Sequence, residues 1–287
     1  MRLFGLSDLH VNHADNRSTL TELEQHPHDW LILAGDLGET EAHLKWTLEL
    51  LVPRWKQIIW VPGNHELWTP PREAAQGGLR GEARYLSQVE LCRHYGVLTP
   101  EDPFAKWPGS ELYLCPLFLL YDYTFAPDKM SPGQVVAWAR EEGIVAMDER
   151  LLHPDPYPSR AAWCAARVAQ AAARLQALPT GAKTVLINHW PLRQDLVRLF
   201  RIPRYTPWCG TQLTKDWHTR FAAEVVVSGH LHMRSTDWRD GVRFEEVSLG
   251  YPRHWRRETG ASGYLRQILP FVGEVPAGGI GGPNWHR

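Results

Sequence analysis

Trp30-Leu31-Ile32-Leu33-Ala34-Gly35-Asp36 decides the architecture, because an apolar run ends abruptly in a glycine and a carboxylate. A short apolar run bounded in this way reads as a buried strand, Trp30 to Ala34. The form recurs on both sides of it. Leu3 to Leu6 leads into Asp8-Leu9-His10, and Gln57 to Val61 leads into Gly63-Asn64-His65-Glu66. Between the second and third runs, Leu44, Leu48 and Leu51 fall on one helical face. Strands alternating with helices are the pattern of an α/β domain.

The pattern returns late in the chain. Thr184 to Ile187 leads into Asn188-His189, and Val225 to Val227 leads into Gly229-His230-Leu231-His232. Val242 to Leu249 follows an Asp240-Gly241 turn, a hairpin signal that predicts antiparallel strands joining a second sheet. The middle, residues 67–182, is rich in Pro, Gly and Trp. Its segment His153-Pro154-Asp155-Pro156-Tyr157-Pro158 cannot be helical. Cys164, Val168, Ala171, Leu175 and Leu178 then step at helical spacing. The organisation expected is one domain over residues 1–275, with 67–182 an elaboration placed where it can cover a site. Residues 276–287, Gly-rich and without periodicity, are expected to be mobile.

A chain of 287 residues with 44% hydrophobic and 22% charged residues can bury a substantial core and is not a disordered polymer. A net charge of -1 offers no general attraction to nucleic acid or to an anionic membrane, so neither is expected as a partner. Cys92, Cys115, Cys164 and Cys209 lie far apart without a CxxC pair, which reads as free thiols in a reducing compartment. The first residues lack the apolar stretch of a signal peptide, and the run from Leu117 to Tyr121 is too short to cross a bilayer. A cytoplasmic protein is expected.

The polar clusters carry the chemistry. In an α/β domain, ligands gather at the carboxyl ends of strands, and here strand after strand ends in a potential metal ligand. Oxygen and imidazole donors without thiolate suit Mn, Fe, Zn or Mg, with imidazole tilting away from pure Mg or Ca sites. Residues i and i+2 of an extended segment point the same way, so Asp8 with His10, and His230 with His232, are expected to face one cavity. One Asp can bridge two metals about 3.5–4 Å apart. Singly, each cluster has an ordinary reading: Asp36 as a helix cap, Asn64 as a turn residue, His189 as a packed ring. Five such clusters in order, four of them ending apolar runs, point to metal.

These ordered clusters resemble the signature of calcineurin-like metallophosphoesterases, over Asp8 to His232. The resemblance implies a four-layer α/β/β/α sandwich with two metals at one edge. It implies Asp8, His10, Asp36 and His232 on one metal, with Asp36 bridging and Asn64, His189 and His230 completing the other. It implies His65 as a catalytic acid rather than a ligand. The two ions would be Mn or Fe, with Zn also compatible. They would polarise the phosphoryl group and bring a water's pKa towards neutral, while His65 protonates the departing oxygen. The family often carries a second acidic residue after the bridging Asp, and Glu39 of Gly35-Asp36-Leu37-Gly38-Glu39 receives no role from the sequence.

The metal pattern does not choose the ester. Two basic stretches flank the clusters: Arg193, Arg198, Arg201 and Arg204, then Arg253, Arg256 and Arg257. They read either as solvated faces or as a positive rim steering an acidic macromolecule. Cys209-Gly210-Thr211, Asp216 to Phe221 and Asp240 to Arg253 resemble an actinobacterial metallophosphoesterase subgroup. That subgroup includes the hydrolase that returns holo-acyl carrier protein to its apo form. The resemblance implies hydrolysis of the phosphodiester between 4′-phosphopantetheine and a carrier serine, with acyl carrier protein as partner. The alternative is a phosphatase or phosphodiesterase acting on a small molecule such as a nucleotide. A non-catalytic scaffold on the same fold would tolerate lost ligands, but each matched position here bears a competent side chain.

Overall fold

The computed structural model describes residues 1–127 and 130–286. It contains two sheets. The smaller is built from β1 (Leu3–Leu6), β2 (His26–Leu33) and β3 (Trp55–Trp60), all parallel. The larger uses β4 (Ala105–Lys106), β5 (Leu112–Pro116), β6 (Lys183–Ile187), β7 (Ala223–Ser228), β8 (Ser235–Arg239) and β9 (Val242–Glu246). Finally β10 (Arg266–Leu269) pairs antiparallel with β1, and β11 (Gly281–Trp285) pairs antiparallel with β8. The orders are β10-β1-β2-β3 and β11-β8-β9-β7-β6-β5-β4. As the Asp240-Gly241 turn predicts, β8 and β9 form an antiparallel hairpin, with Arg239 facing Val242.

Alternation along the strands builds the layers. Leu3, Ile32, Ile59, Val185, Ile187, Val225 and Val227 share one core, which joins the two sheets face to face. Their neighbours Leu31 and Leu33 face outward onto Leu44, Leu48 and Leu51 of the helix Glu41–Leu51. Leu186 and Val226 face the other way, onto Ala171 and Leu175 of the helix Arg160–Gln176. Period-two strands buried on both faces give the predicted helix–sheet–sheet–helix sandwich.

Two stretches differ from their sequence reading. Part of the middle segment is core: β5 lies beside β6 in the larger sheet, with Leu114 and Cys115 fully buried. The tail expected to be mobile carries β11, an edge strand. Its pairing is made by backbone groups of Gly- and Pro-rich residues and leaves no hydrophobic period to read. The four cysteines are free and buried. No helix among the described residues is long and apolar enough to cross a membrane.

Candidate metal centre

Each predicted ligand stands just beyond a strand: Asp8 and His10 after β1, Asp36 after β2, Asn64 after β3, His189 after β6, and His230 and His232 after β7. The two sheets meet there. Ser7 bridges Ser248 in parallel fashion, and its N–H donates to the Val247 carbonyl at 3.0 Å. The side chains do not converge by extended i, i+2 geometry, however. Asp8, His10, Asp36, His230 and His232 have φ between 41° and 72°, five of the nine non-glycine residues with positive φ among the described residues. Left-handed backbone costs energy in such residues and persists where the surroundings fix it. Here Asp8 N–H donates to Gly35 O at 2.8 Å and His10 N–H to Asp36 O at 3.0 Å. The ligands therefore face one cavity through tight turns rather than along a pleat.

Three groups of side chains come together: Asp8 with His10 and His232, Asp36 with His189 and His230, and His10 with Asp36 and His65. His232 Nε2 lies 2.9 Å from Asp8 Oδ1 and 3.2 Å from His10 Nε2. On the other side, His189 Nε2 lies 3.2 Å from His230 Nδ1 and 3.5 Å from Asp36 Oδ2. Donors bonded at about 2.0–2.2 Å to one ion stand roughly 3 Å apart, so these spacings match edges of a coordination shell. His189 Nδ1 is 2.8 Å from the Ala34 carbonyl, the partner that leaves Nε2 facing the cavity. Burial alone would lower His189, but Asp36 and then Asp8 overrule it and lift it to about 10. Burial and the neighbouring His189 push His230 down to about 3. The pocket thus draws positive charge towards its two buried carboxylates.

The donor set fits metal on further grounds. Asn64 Oδ1 is buried without a protein partner, which is costly for a polar atom that binds nothing. The loops also approach too closely for side chains. A Cβ at Gly63 would sit 2.1 Å from Asp36 Oδ1, and one at Gly229 would sit 2.5 Å from Asp8 Oδ2. These glycines are required by proximity to the carboxylates, beyond the backbone freedom that the sequence suggests.

Several supporting residues escape a sequence reading. Glu66 accepts the N–H groups of Gly63 at 2.7 Å, Asp36 at 2.8 Å and Leu37, binding the loops after β2 and β3 together. Burial, and then Asp36, raise its carboxyl to about 7. Ser248 Oγ donates to Asp8 Oδ2 at 2.7 Å, and Glu246 accepts the N–H groups of Met233 and Arg234. Tyr251 stacks on His10 with ring centroids 4.3 Å apart, and His254 Nδ1 lies 3.1 Å from His232 Nδ1. His65 rests on Trp68, with centroids 3.7 Å apart, and its Nδ1 is 3.6 Å from Glu39 Oε1. Although burial opposes it, Asp36 and Glu39 raise the pKa of His65. A motif that ends at Asp36 gives no sign that Glu39 reaches His65 three residues on.

The arginines separate into three kinds. Arg198 is bound by both ends of the buried Asp237 carboxylate, at 2.6 and 2.9 Å. Arg204 pairs with Glu141 and Glu142, Arg193 with Asp195, and Arg257 with Asp15. Only Arg201 and Arg253 line the cleft over the metal centre, and Arg256 is exposed elsewhere on the surface. The cleft has a volume of about 500 Å³, and its polar lining includes Asp36, Asn64, His65, His230 and His232. Leu199, Ile202, Tyr205 and Leu231 make its apolar wall. A larger cavity of about 630 Å³, between Arg193 and Asp240, shares no lining residue with it.

Residues 1–234 match the model of the calcineurin-like phosphoesterase family. The chain belongs to that family, a class of metal-dependent phosphoric ester hydrolases. The chain is also 50% identical, over 273 residues, to the [acyl-carrier-protein] phosphodiesterase PptH of Mycobacterium tuberculosis (strain ATCC 25618 / H37Rv), covering 93% of this chain and 83% of that one. It superposes on the crystal structure of the M. tuberculosis phosphopantetheinyl hydrolase PptH with a TM-score of 0.89 and 48% identity, covering 96% of this chain and 98% of that one.

Proposed function

We propose that this enzyme hydrolyses the phosphodiester joining 4′-phosphopantetheine to a serine of holo-acyl carrier protein, in the cytoplasm. The observation that carries this reading is the likeness, along nearly the whole chain, to the mycobacterial acyl-carrier-protein phosphodiesterase. In this proposal Asp8, His10, Asp36 and His232 hold one ion and Asp36, Asn64, His189 and His230 hold the other, the pair being Mn or Fe, or Zn. Such ions, when bound, supply Lewis acidity and a nucleophile at neutral pH. His65 stands beside Asp36, with Nε2 at 3.8 Å from Oδ2, and gives its proton to the departing serine oxygen. Glu39 and Trp68 hold the ring in place from two sides.

The cleft suits the substrate's two characters. Its arginines, Arg201 and Arg253, complement a phosphodiester and an acidic carrier surface, and its apolar wall suits the pantetheine arm. Phe200, 81% exposed and next to Arg201 in the chain, offers an apolar contact for the carrier. The test is to incubate the manganese-loaded enzyme with holo-acyl carrier protein and follow the carrier's mass, with His65→Ala as control. Conversion to apo carrier by wild type alone supports the proposal. An unchanged carrier beside rapid cleavage of a small phosphodiester would move the enzyme to small phosphate esters.

A further inference from the structure

We propose that Asp148 is a positioning residue for the metal centre: it orients Asn64 as a ligand and steadies the ring under His65. This rests on the reading of Asn64 as a metal ligand. Asp148 lies 84 positions from Asn64 in sequence, within the middle segment, and is fully buried. Its Oδ1 accepts from Asn64 Nδ2 at 3.0 Å and from Trp68 Nε1 at 2.7 Å. A carboxylate only accepts, so it must meet the NH₂ end of the Asn64 amide. The carbonyl end, Asn64 Oδ1, is then left buried with no protein partner on the wall of the metal cleft. An isolated Asn side chain could present either end; Asp148 selects the one that can bind a cation. The second bond fixes the Trp68 indole, whose face carries His65.

The backbone that carries this carboxylate is itself held. Arg160 donates to the Asp148 carbonyl at 2.7 Å and pairs with Glu149 at 2.9 Å. Tyr123 and Trp208 donate to the other Glu149 oxygen at 2.8 and 2.9 Å. The short helix Asp148–Leu151 is thereby pinned from three segments, one of which runs on into the cleft at Cys209. The middle segment thus supplies part of the machinery that the five sequence clusters leave incomplete.

The manganese-loaded enzyme, challenged with graded chelator while retained metal per chain is counted, tests the assignment. Asp148→Leu is expected to release one ion at about 10–100-fold lower chelator than wild type and to keep the other. Asn64→Ala is expected to do the same, and the double variant no worse than Asn64→Ala alone, because both changes remove one ligand. Asp148→Asn keeps an acceptor oxygen and is expected to hold both ions. If Asp148→Leu does not fold, Asp148→Ser, too short to reach both donors, carries the same expectation. A variant retaining both ions with only a lower Tm, or losses that add in the double variant, would overturn the role of Asp148. Asn64→Ala holding both ions would instead remove Asn64 from the ligands, and the inference with it.

Discussion

Glu66 accepts the backbone N–H of Asp36 at 2.8 Å, although the two carboxylates stand 30 residues apart in the chain. The same side chain accepts from Gly63 and Leu37, so one buried group sets the distance between the loops that carry Asp36 and Asn64. Glu66→Ala would leave four buried donors unpaired, the N–H groups of Asp36, Leu37, Gly38 and Gly63. It is expected to cost about 3 kcal/mol or more in urea unfolding and to reduce the metal retained per chain. Glu66→Gln, which keeps an acceptor oxygen, is expected to lose less on both counts.

His65 and Glu39 separate binding from turnover. Neither is a proposed ligand, and Glu39 stands 3.6 Å from the far nitrogen of the His65 ring. His65→Ala is expected to retain both ions while its kcat falls about 10²–10⁴-fold, the range for a lost general acid. Glu39→Gln is expected to give a smaller fall with metal content unchanged. A His65→Ala protein short of one ion would make His65 a ligand, which its distance from His10 and Asp36 permits.

Arg201 and Arg253 differ from Arg198 in what they touch. The first two line the cleft, whereas Arg198 is spent on buried Asp237. Arg201→Glu and Arg253→Glu are expected to raise KM for holo-carrier protein several-fold, leave Tm unchanged and weaken the dependence on salt. Arg198→Ala is expected to lower Tm, because it removes both short guanidinium bonds to a buried carboxylate and leaves it only Arg239 at 3.6 Å and Ser235 at 3.4 Å. Steady-state kinetics across ionic strength, beside thermal melts, check both.

Acid stability has an identifiable contributor away from the centre. Burial tends to raise Glu101, but Arg167 at 2.6 Å and the Tyr85 hydroxyl at 2.7 Å hold its carboxyl below the usual 4.5. A depressed folded-state value stabilises the protein above pH 4.5, and that contribution is lost as pH falls through the lowered value. Glu101→Gln is expected to cost about 2 kcal/mol near neutrality. The gap from wild type should close on acidification, as read by urea unfolding at a series of pH values. A gap independent of pH would remove Glu101 from the acid response.

The ligand-bearing strands were legible because burial and chemistry alternate sharply at their ends. Ile32 and Leu33 are fully buried, and Asp36 follows within three residues. The donor list therefore appears in one dimension. What escaped the sequence is what depends on a partner remote in the chain. Asp148 has meaning only beside Asn64, His254 only beside His232, and β11 only beside β8. The arginines could not be told apart in the sequence for the same reason. Charge along the chain cannot reveal that Arg198 has Asp237 for a neighbour. The left-handed turns at Asp8 and His10 were equally hidden, since no residue there is a glycine.

The central claim is hydrolysis at phosphorus of the carrier's phosphodiester, and cleavage in ¹⁸O-labelled water tests it most directly. Mass spectrometry of both products would locate the label. The expected result is apo carrier with an unlabelled serine and one ¹⁸O in the released phosphopantetheine. Label in the serine, or a carrier that keeps its phosphopantetheine, would contradict the account.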